Sequence, residues 1–293
     1  MELKSGIKIF CTDVEFEEAV TINTGSHSSK DHPSAKFVWD HVECEPQYEP
    51  QSYLPKKDWK KVSGSALSKI KTDHFRKDYN TIVVGKISEE MKGLFQQLHL
   101  HTATNEKETL ACFYNNKEIV EQLNENLHTF LNGLSQSGYS FLCVGAGYPN
   151  CETTSFDRRG MPEEFAPDKV RFIGLHKDSS NRQMTVGSSH KHGNRLSINL
   201  GQESRYFLFI NLSILQIYNM LKKKMDVKKE NVNNTNIVRF FLTYFPDYPV
   251  LRIKQKPYEF YIAPTDNCIH DGSTLGTTTV DITMIFLGHF EMK

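Results

Sequence analysis

The second half of the chain is a series of short segments with the residue pattern of β-strands. Each segment carries β-branched or aromatic residues and lies between turn-forming residues. The segments are Tyr139–Gly145, Val170–His176, Arg195–Leu200, Tyr206–Leu212, Val250–Lys254, Glu259–Ala263 and Val280–Leu287. Short strands at this spacing, after an N-terminal helical region, predict an α+β protein with a mainly β core, a sandwich or barrel with helices on its outside.

The first half has a different texture and predicts the supporting part of the molecule. A helix is predicted from Ser88 to His101, and a stronger one from Asn116 to Leu134, where apolar residues keep a period of 3.6. The polar segment from Thr21 to Leu67 predicts a loop-rich extension. Within the β-rich half, Ile214–Lys224 and Asn236–Tyr244 predict two further helices. We therefore expect a helical and loop-rich support or lid over residues 1–137 and a β core over residues 138–293.

Composition narrows the class of protein. The chain has 35 Lys and Arg against 35 Asp and Glu, so the net charge is zero and no basic field indicates a nucleic-acid partner. The six cysteines show no CxxC spacing, which argues against a zinc site or a disulfide framework. No apolar run reaches the roughly 18 residues of a membrane span, and the N-terminus lacks the apolar region of a secretory signal. We expect a soluble, cytoplasmic protein without a membrane partner.

Two histidines and an aspartate form a candidate metal site. The segment Val170–His176 predicts a strand that ends in His176-Lys-Asp178, and residues i and i+2 of a strand point to the same face. His176 and Asp178 can therefore reach one metal ion. His270 is the best third ligand; we expect a strand to break at Pro264 and the turn after this break to lift the histidine. Two histidines and one carboxylate make the facial triad that binds Fe(II) and leaves coordination positions open.

Around these motifs the chain resembles a known superfamily. The stretch from Ser140 to Phe290 resembles the double-stranded β-helix (jelly-roll) core of the Fe(II)/2-oxoglutarate-dependent oxygenases. Leu175-His-Lys-Asp-Ser-Ser is similar to the HxD turn of that superfamily, and Ile262–Asp271 is similar to its distal-histidine strand. The resemblance implies Fe(II) as the metal, 2-oxoglutarate as cosubstrate and dioxygen as oxidant. Hydroxylation of a C–H bond would be the default reaction, with the metal ligands as its only catalytic residues.

One departure concerns the cosubstrate. Many members of the superfamily hold its distal carboxylate with an Arg or Lys about ten residues after the second histidine, but Thr277–Phe286 contains no basic residue. In the Jumonji-type branch the cation lies between the two motifs, and Arg195 is in a comparable place. Arginine suits the task because its planar fork binds a carboxylate through two hydrogen bonds. Arg205 is the substitute candidate, and further hydrogen-bonding candidates for the cosubstrate are Ser197, Asn199 and Thr283.

Three questions stay open at this point. His190 and His192 lie in a Gly- and Ser-flanked loop, and with His270 they would make the three-histidine site of a cupin-type dioxygenase that does not use 2-oxoglutarate. The missing late cation also leaves room for a non-catalytic β-helix protein that binds a ligand or a partner. Asp271 is a candidate to orient His270. The substrate is expected to be a small amino-acid-like molecule, a peptide or a natural-product intermediate, because a neutral chain disfavours nucleic acid.

Overall fold

The computed structural model describes residues 1–39, 41–75, 80–157, 170–181 and 183–292, with Gln136 described by its backbone alone. Strand exceeds helix, which confirms the predicted α+β class with a mainly β core. The described helices are α1 (Phe16–Ala19), α2 (Ser65–Ile70), α3 (Glu89–Gln97), α4 (Glu106–Tyr114), α5 (Lys117–Leu134), α6 (Ile214–Leu221) and α7 (Ile237–Tyr244). None of these helices is both long and apolar enough to cross a lipid bilayer.

The strands come mostly in runs between these helices. They are β1 (Lys8–Cys11), β2 (Val20–Ile22), β3 (Ser26–Ser28), β4 (Phe37–Trp39), β5 (Val42–Cys44), β6 (Gln47–Tyr48), β7 (Tyr53–Pro55), β8 (Lys60–Lys61), β9 (Thr81–Lys86), β10 (Ser135–Gly147), β11 (Arg171–Phe172), β12 (Asn194–Asn199), β13 (Arg205–Ser213), β14 (Leu251–Gln255), β15 (Glu259–Ala263), β16 (Cys268–Ser273) and β17 (Asp281–Phe290).

Two larger sheets organise the described strands. One has the order β1-β9-β15-β12-β17-β10, and the other has the order β16-β13-β14-β2-β8. Strands from the first half of the chain, β1, β9, β2 and β8, complete both sheets. The predicted boundary between residues 137 and 138 falls inside β10. Each of the two larger sheets also contains strands from both sides of this boundary.

The two sheets face each other across a common apolar core. Buried side chains of β9 and β15 in one sheet and of β2, β13 and β14 in the other belong to a single cluster, which α6 and α7 extend. The rings of Phe207 in β13 and Tyr261 in β15 lie with their centroids 4.3 Å apart, which joins the sheets at the centre. On the other face of the six-stranded sheet, α3, α4 and α5 bury their apolar stripes in a second cluster.

The long periodic elements agree with their predictions. Helix α5 begins one residue after the predicted start and ends at Leu134 as predicted, and β15 has the predicted bounds. Strand β16 is not among the strands that the residue pattern predicts, since Cys-Ile-His-Asp-Gly-Ser lacks strand alternation and contains residues that strands disfavour; only the resemblance over Ile262–Asp271 implied a strand here. The predicted strand break at Pro264 and the turn after it are confirmed, because β15 ends at Ala263 and residues 265–267 form a turn. His270 follows this turn and lies inside β16.

Candidate metal centre

His176 and His270 face each other across a two-residue β-bridge. The His176 N–H donates to the His270 carbonyl at 3.0 Å, and the His270 N–H donates to the His176 carbonyl at 2.6 Å. Residues that exchange both backbone hydrogen bonds lie directly opposite each other, so their side chains emerge side by side. The ring centroids of the two histidines are accordingly 4.7 Å apart.

Asp178 follows His176 by two residues, and its carboxylate approaches both histidine rings. Its backbone N–H donates to the Thr265 carbonyl at 3.1 Å, which ties the turn to the segment just before β16. Its carboxylate faces both rings: Oδ1 is 3.8 Å from His176 Nε2, and Oδ2 is 3.7 Å from His270 Nε2. The structure therefore brings together the three residues predicted as metal ligands.

Backbone carbonyls set which nitrogen of each ring faces the carboxylate. His176 Nδ1 lies 2.8 Å from the Gly174 carbonyl, and His270 Nδ1 lies 3.3 Å from the Cys268 carbonyl. A carbonyl only accepts hydrogen bonds, so each Nδ1 carries a proton and each neutral ring keeps a lone pair on Nε2. Both Nε2 atoms are on the side of Asp178, which is the arrangement that metal binding requires.

Burial and neighbouring charges act differently on the three groups. Burial lowers the pKa of His270 to about 4, so its ring is neutral at physiological pH. Burial also opposes protonation of His176, but Asp271 and Asp178 outweigh it and raise the pKa of this histidine. Burial disfavours the charged form of Asp178, yet Arg195 and the two histidines outweigh it and hold the pKa of this carboxyl below its usual range. Asp178 is therefore ionised and available as a ligand.

The triad has the donors and the spacing of a metal site. One nitrogen or oxygen from each of the three residues lies within 4.8 Å of the others. Two ligands about 2.1 Å from one ion are roughly 3.0 Å apart at a right angle and about 4.2 Å apart in line. The separations of 3.7 and 3.8 Å fall between these limits. Within the described ranges, no other group of His, Cys, Asp or Glu has such an arrangement.

The turn that carries His176 depends on Gly174. This glycine has a φ of 75°, and a Cβ added to it would lie 2.7 Å from the Tyr53 carbonyl. The same carbonyl accepts the Leu175 N–H at 2.9 Å. The loop-rich extension, through Tyr53, thus fixes the residue next to the first histidine.

Asp271 contacts His176 and not His270. One of its oxygens, Oδ2, lies 3.5 Å from His176 Nδ1. The other, Oδ1, accepts backbone N–H groups of Thr154, Ser155 and Gly272. The expectation that Asp271 orients His270 is therefore wrong: consecutive strand residues point to opposite faces, so Asp271 points away from its neighbour.

Arg195 lies beside the metal ligands. Its NH2 atom is 2.6 Å from Asp178 Oδ2, although the N–H does not point at that oxygen, so the contact is an ion pair without a hydrogen bond. The Arg195 side chain is 24% exposed, and its Nε atom is buried without a partner. Arg195 is therefore close enough to act on Asp178 and open enough to meet a ligand.

Arg205 lies in the interior between the sheets. Its Nε atom is 3.1 Å from Asp281 Oδ1 in an ion pair whose two side chains are 9% and 8% exposed. A Cβ added to Gly272 would lie 2.6 Å from Arg205 NH2, so the guanidinium packs against this glycine on the face of β16 that carries His270. Gly272 is two residues from His270, and strand geometry makes that about 7 Å. Asp281, the acid 11 residues after His270, carries no motif that could have marked it in the sequence.

The three predicted hydrogen-bonding residues have different surroundings. Ser197 is buried opposite Tyr261, and Thr283 is buried opposite Asn199 and Gly145. A Cβ at Gly145 would lie 3.5 Å from Thr283 Oγ1, so the missing side chain leaves room above this hydroxyl. The Asn199 amide donates to the Glu203 and Gln255 carbonyls and accepts the Gly201 N–H, so its contacts are those of a turn.

The histidine loop is not part of this centre. His190 lies in a single helical turn, Ser189–Lys191, and His192 follows it. Neither belongs to the one candidate metal group among the residues that the structure describes. The three-histidine alternative has no support from this geometry.

Comparison with known proteins adds no relative to these observations. No family model, curated protein or solved structure matches the chain.

Proposed function

We propose that this protein is an Fe(II)- and 2-oxoglutarate-dependent oxygenase that hydroxylates a C–H bond of its substrate. The observation that carries the proposal is the convergence of His176 Nε2, His270 Nε2 and the Asp178 carboxylate on one point. Two neutral imidazoles and one carboxylate are the donor set of the facial triad that favours Fe(II). Fe(II) with 2-oxoglutarate supplies the activation of dioxygen when bound.

The strand order supports a double-stranded β-helix. Strands β12, β15 and β17 belong to the six-stranded sheet, while β13, β14 and β16 belong to the facing one. The chain thus passes back and forth between two antiparallel layers, as in a jelly roll. In this arrangement the candidate ligands come from β16 and from the segment that bridges to it.

Arg205 is the better placed of the two candidate anchors for the cosubstrate. Its guanidinium packs against Gly272, which lies on the same face of β16 as His270, and the backbone spacing between these two residues is roughly 7 Å. That distance suits a five-carbon diacid that binds a metal at one end and a cation at the other. Asp281 fixes Arg205 through one edge of the guanidinium, and an arginine has further N–H donors for a carboxylate. Thr283, with open space above it, is a candidate for an additional hydrogen bond.

The other residues of the site hold and shield the metal ligands. Gly174 and Cys268 accept the Nδ1 protons, which orients both rings. Phe207 stacks on His270 with the ring centroids 5.8 Å apart, which excludes water from the inner side of the site. The chain's part in the reaction is thus to position the metal and cosubstrate and to present one C–H bond of the substrate.

Anaerobic titration of the Fe(II)-loaded protein with 2-oxoglutarate tests the proposal. Chelation of the metal by the cosubstrate gives a weak visible charge-transfer band, which we expect to appear and to saturate. His190→Ala serves as a matched control that keeps the band, while His176→Ala removes it. Iron binding without a band would exclude 2-oxoglutarate, and absence of iron binding would favour the non-catalytic β-helix protein.

A further inference from the structure

A cleft of about 660 Å³ opens beside Asp178. Asp178, Arg195 and Thr265 are among its lining residues. Ser179, Ser180 and parts of strands β10, β12 and β17 also line it. A second cleft of about 550 Å³ also borders Ser179, and His176 and Arg239 line it. The Asp178 cleft therefore reaches one of the three candidate metal ligands, and the second cleft reaches another, His176.

Hydroxyl groups and one strong cation characterise the Asp178 cleft. Arg195 is the only arginine or lysine among its described lining residues. Besides Asp178, the lining carboxylate is Asp266, which already accepts the Ser180 backbone N–H at 3.0 Å and the Ser180 hydroxyl. Both Asp266 oxygens are thus engaged by Ser180, which leaves Arg195 as the lining cation that can bind an anionic ligand.

Among the described residues, Arg195 forms an ion pair only with Asp178, which is itself a candidate metal ligand. Its NH2 atom is 2.6 Å from Asp178 Oδ2, and its buried Nε atom has no hydrogen-bond partner. A divalent ion on the triad would take up the charge of Asp178. Arg195 would then have no other ion-pair partner among the described residues, since its one such contact is with Asp178, and a partly desolvated cation favours an anionic partner.

We propose that this cleft binds the prime substrate through a carboxylate that pairs with Arg195, an inference that rests on the proposed oxygenase function. Arginine binds a carboxylate through two parallel N–H···O bonds, which fixes orientation as well as affinity. A carboxylate held there places the neighbouring carbons next to Asp178. The substrate class is thus a carboxylic acid, either a small amino-acid-like molecule or the C-terminus of a peptide, oxidised at a carbon near its carboxylate.

Equilibrium binding without turnover tests this assignment. The protein is loaded with Mn(II) and 2-oxoglutarate under anaerobic conditions and titrated in a calorimeter with the N-acetyl amino acids, the matching N-acetyl amino acid amides and Gly-Gly-X tripeptides. We expect acids to bind and the amides to bind at least tenfold more weakly. Tighter binding of tripeptides than of N-acetyl amino acids would identify a peptide C-terminus as the source of the carboxylate, and the reverse would identify a small molecule.

Variants separate this role from the others. Arg195→Gln should lose at least tenfold in affinity for the acids, Arg195→Lys should recover part of it, and Arg239→Gln, in the second cleft, should bind like the wild type. Equal binding of acids and amides, unchanged binding by Arg195→Gln, or no binding by any acid of the set would overturn the inference. If Arg195→Gln instead loses 2-oxoglutarate, Arg195 is the cosubstrate anchor and the inference is also wrong. Failure of the wild type to bind Mn(II) and 2-oxoglutarate would instead reject the proposed function itself.

Discussion

Two arginines near the starts of consecutive core strands, Arg195 in β12 and Arg205 in β13, have opposite surroundings. Each pairs with an aspartate, but the Arg205–Asp281 pair is enclosed between the sheets, whereas the Arg195–Asp178 pair opens into a cleft. Removal of either partner of a buried ion pair destabilises the fold, because it leaves an uncompensated charge in the interior. A pair at a cleft can exchange partners with water, a metal or a ligand. The same residue type can therefore be a fixed anchor in one region and an adaptable contact in the other.

The largest expected effect is a difference in the free energy of unfolding between variants of Asp281 and Asp178. Asp281→Ala should lower the free energy of unfolding by about 3 kcal/mol or more, because it strands the Arg205 charge in the interior. Asp178→Ala should cost about 1 kcal/mol or less in the metal-free protein, because Arg195 reaches water. Urea denaturation of both variants measures the difference. Equal losses would mean that the two arginines are equally solvated, and the contrast between the regions would fail.

Metal affinity should distinguish the triad of His176, Asp178 and His270 from the loop that carries His190 and His192. His176→Ala and Asp178→Ala should each weaken Mn(II) binding by more than about 100-fold, since loss of even an outer partner costs 10- to 100-fold. His190→Ala should leave the affinity unchanged. Calorimetric titration of the metal-free variants checks this expectation, and the reverse pattern would move the site to the loop.

Exchange of each arginine for lysine compares how much Arg205 and Arg195 contribute to 2-oxoglutarate affinity. Arg205→Lys keeps the charge beside Asp281 but loses the planar fork, so 2-oxoglutarate should bind roughly tenfold more weakly. Arg195→Lys should leave 2-oxoglutarate affinity unchanged. Anaerobic titration of the Fe(II)-loaded variants, with the charge-transfer band as readout, gives both values. A loss confined to Arg195→Lys would exchange the roles assigned to the two arginines.

The smallest expected effect concerns the turn that leads to Asp281. Glu203 accepts the N–H groups of Thr278 and Thr279 at 2.8 and 2.7 Å. Partial burial opposes ionisation of Glu203, but these hydrogen bonds outweigh it and lower its pKa. A carboxylate with a lowered pKa stabilises the fold above its unfolded pKa of about 4.3 and loses this contribution as the pH falls through the folded value.

Glu203→Ala should therefore cost about 1 kcal/mol at neutral pH, and the difference from the wild type should disappear in acid. Urea denaturation across a pH series measures it, with Glu203→Gln, which keeps one accepting oxygen, as the matched control. A difference that persists well below pH 4 would assign the effect to packing and not to the charge.

The candidate ligands could be predicted from the sequence because the HxD spacing is local. His176 and Asp178 are two residues apart, and in extended chain that spacing places both side chains on one side. The predicted strand is shorter than expected, since β11 ends at Phe172 and His176 forms an isolated bridge. His270 could be chosen by its position, but its strand could not, since β16 owes its conformation to hydrogen bonds with β13 and the His176 bridge. Local propensity does not encode such partners.

The roles of the arginines could not be predicted in the same way. Arg195 and Arg205 both lie near predicted strand starts, and the spacing after Asp178 favours Arg195 as the anchor. The structure pairs Arg205 with Asp281, a residue 76 positions later that carries no motif. Such a contact joins facing sheets, and no short-range pattern in the chain records it.

The amino-acid sequence by itself determined the long helix with a 3.6-residue stripe, the strands of the second half other than β16, and the three residues of the candidate metal site. These features depend on periodicity and on spacings of a few residues, which the chain expresses locally. Only the tertiary structure decided that Asp271 contacts His176, that Arg205 is enclosed while Arg195 is open, and that a cleft reaches Asp178. Burial and charge pairing are properties of surfaces that meet after folding, so the same residue type acquires its chemistry from neighbours that are distant in the sequence.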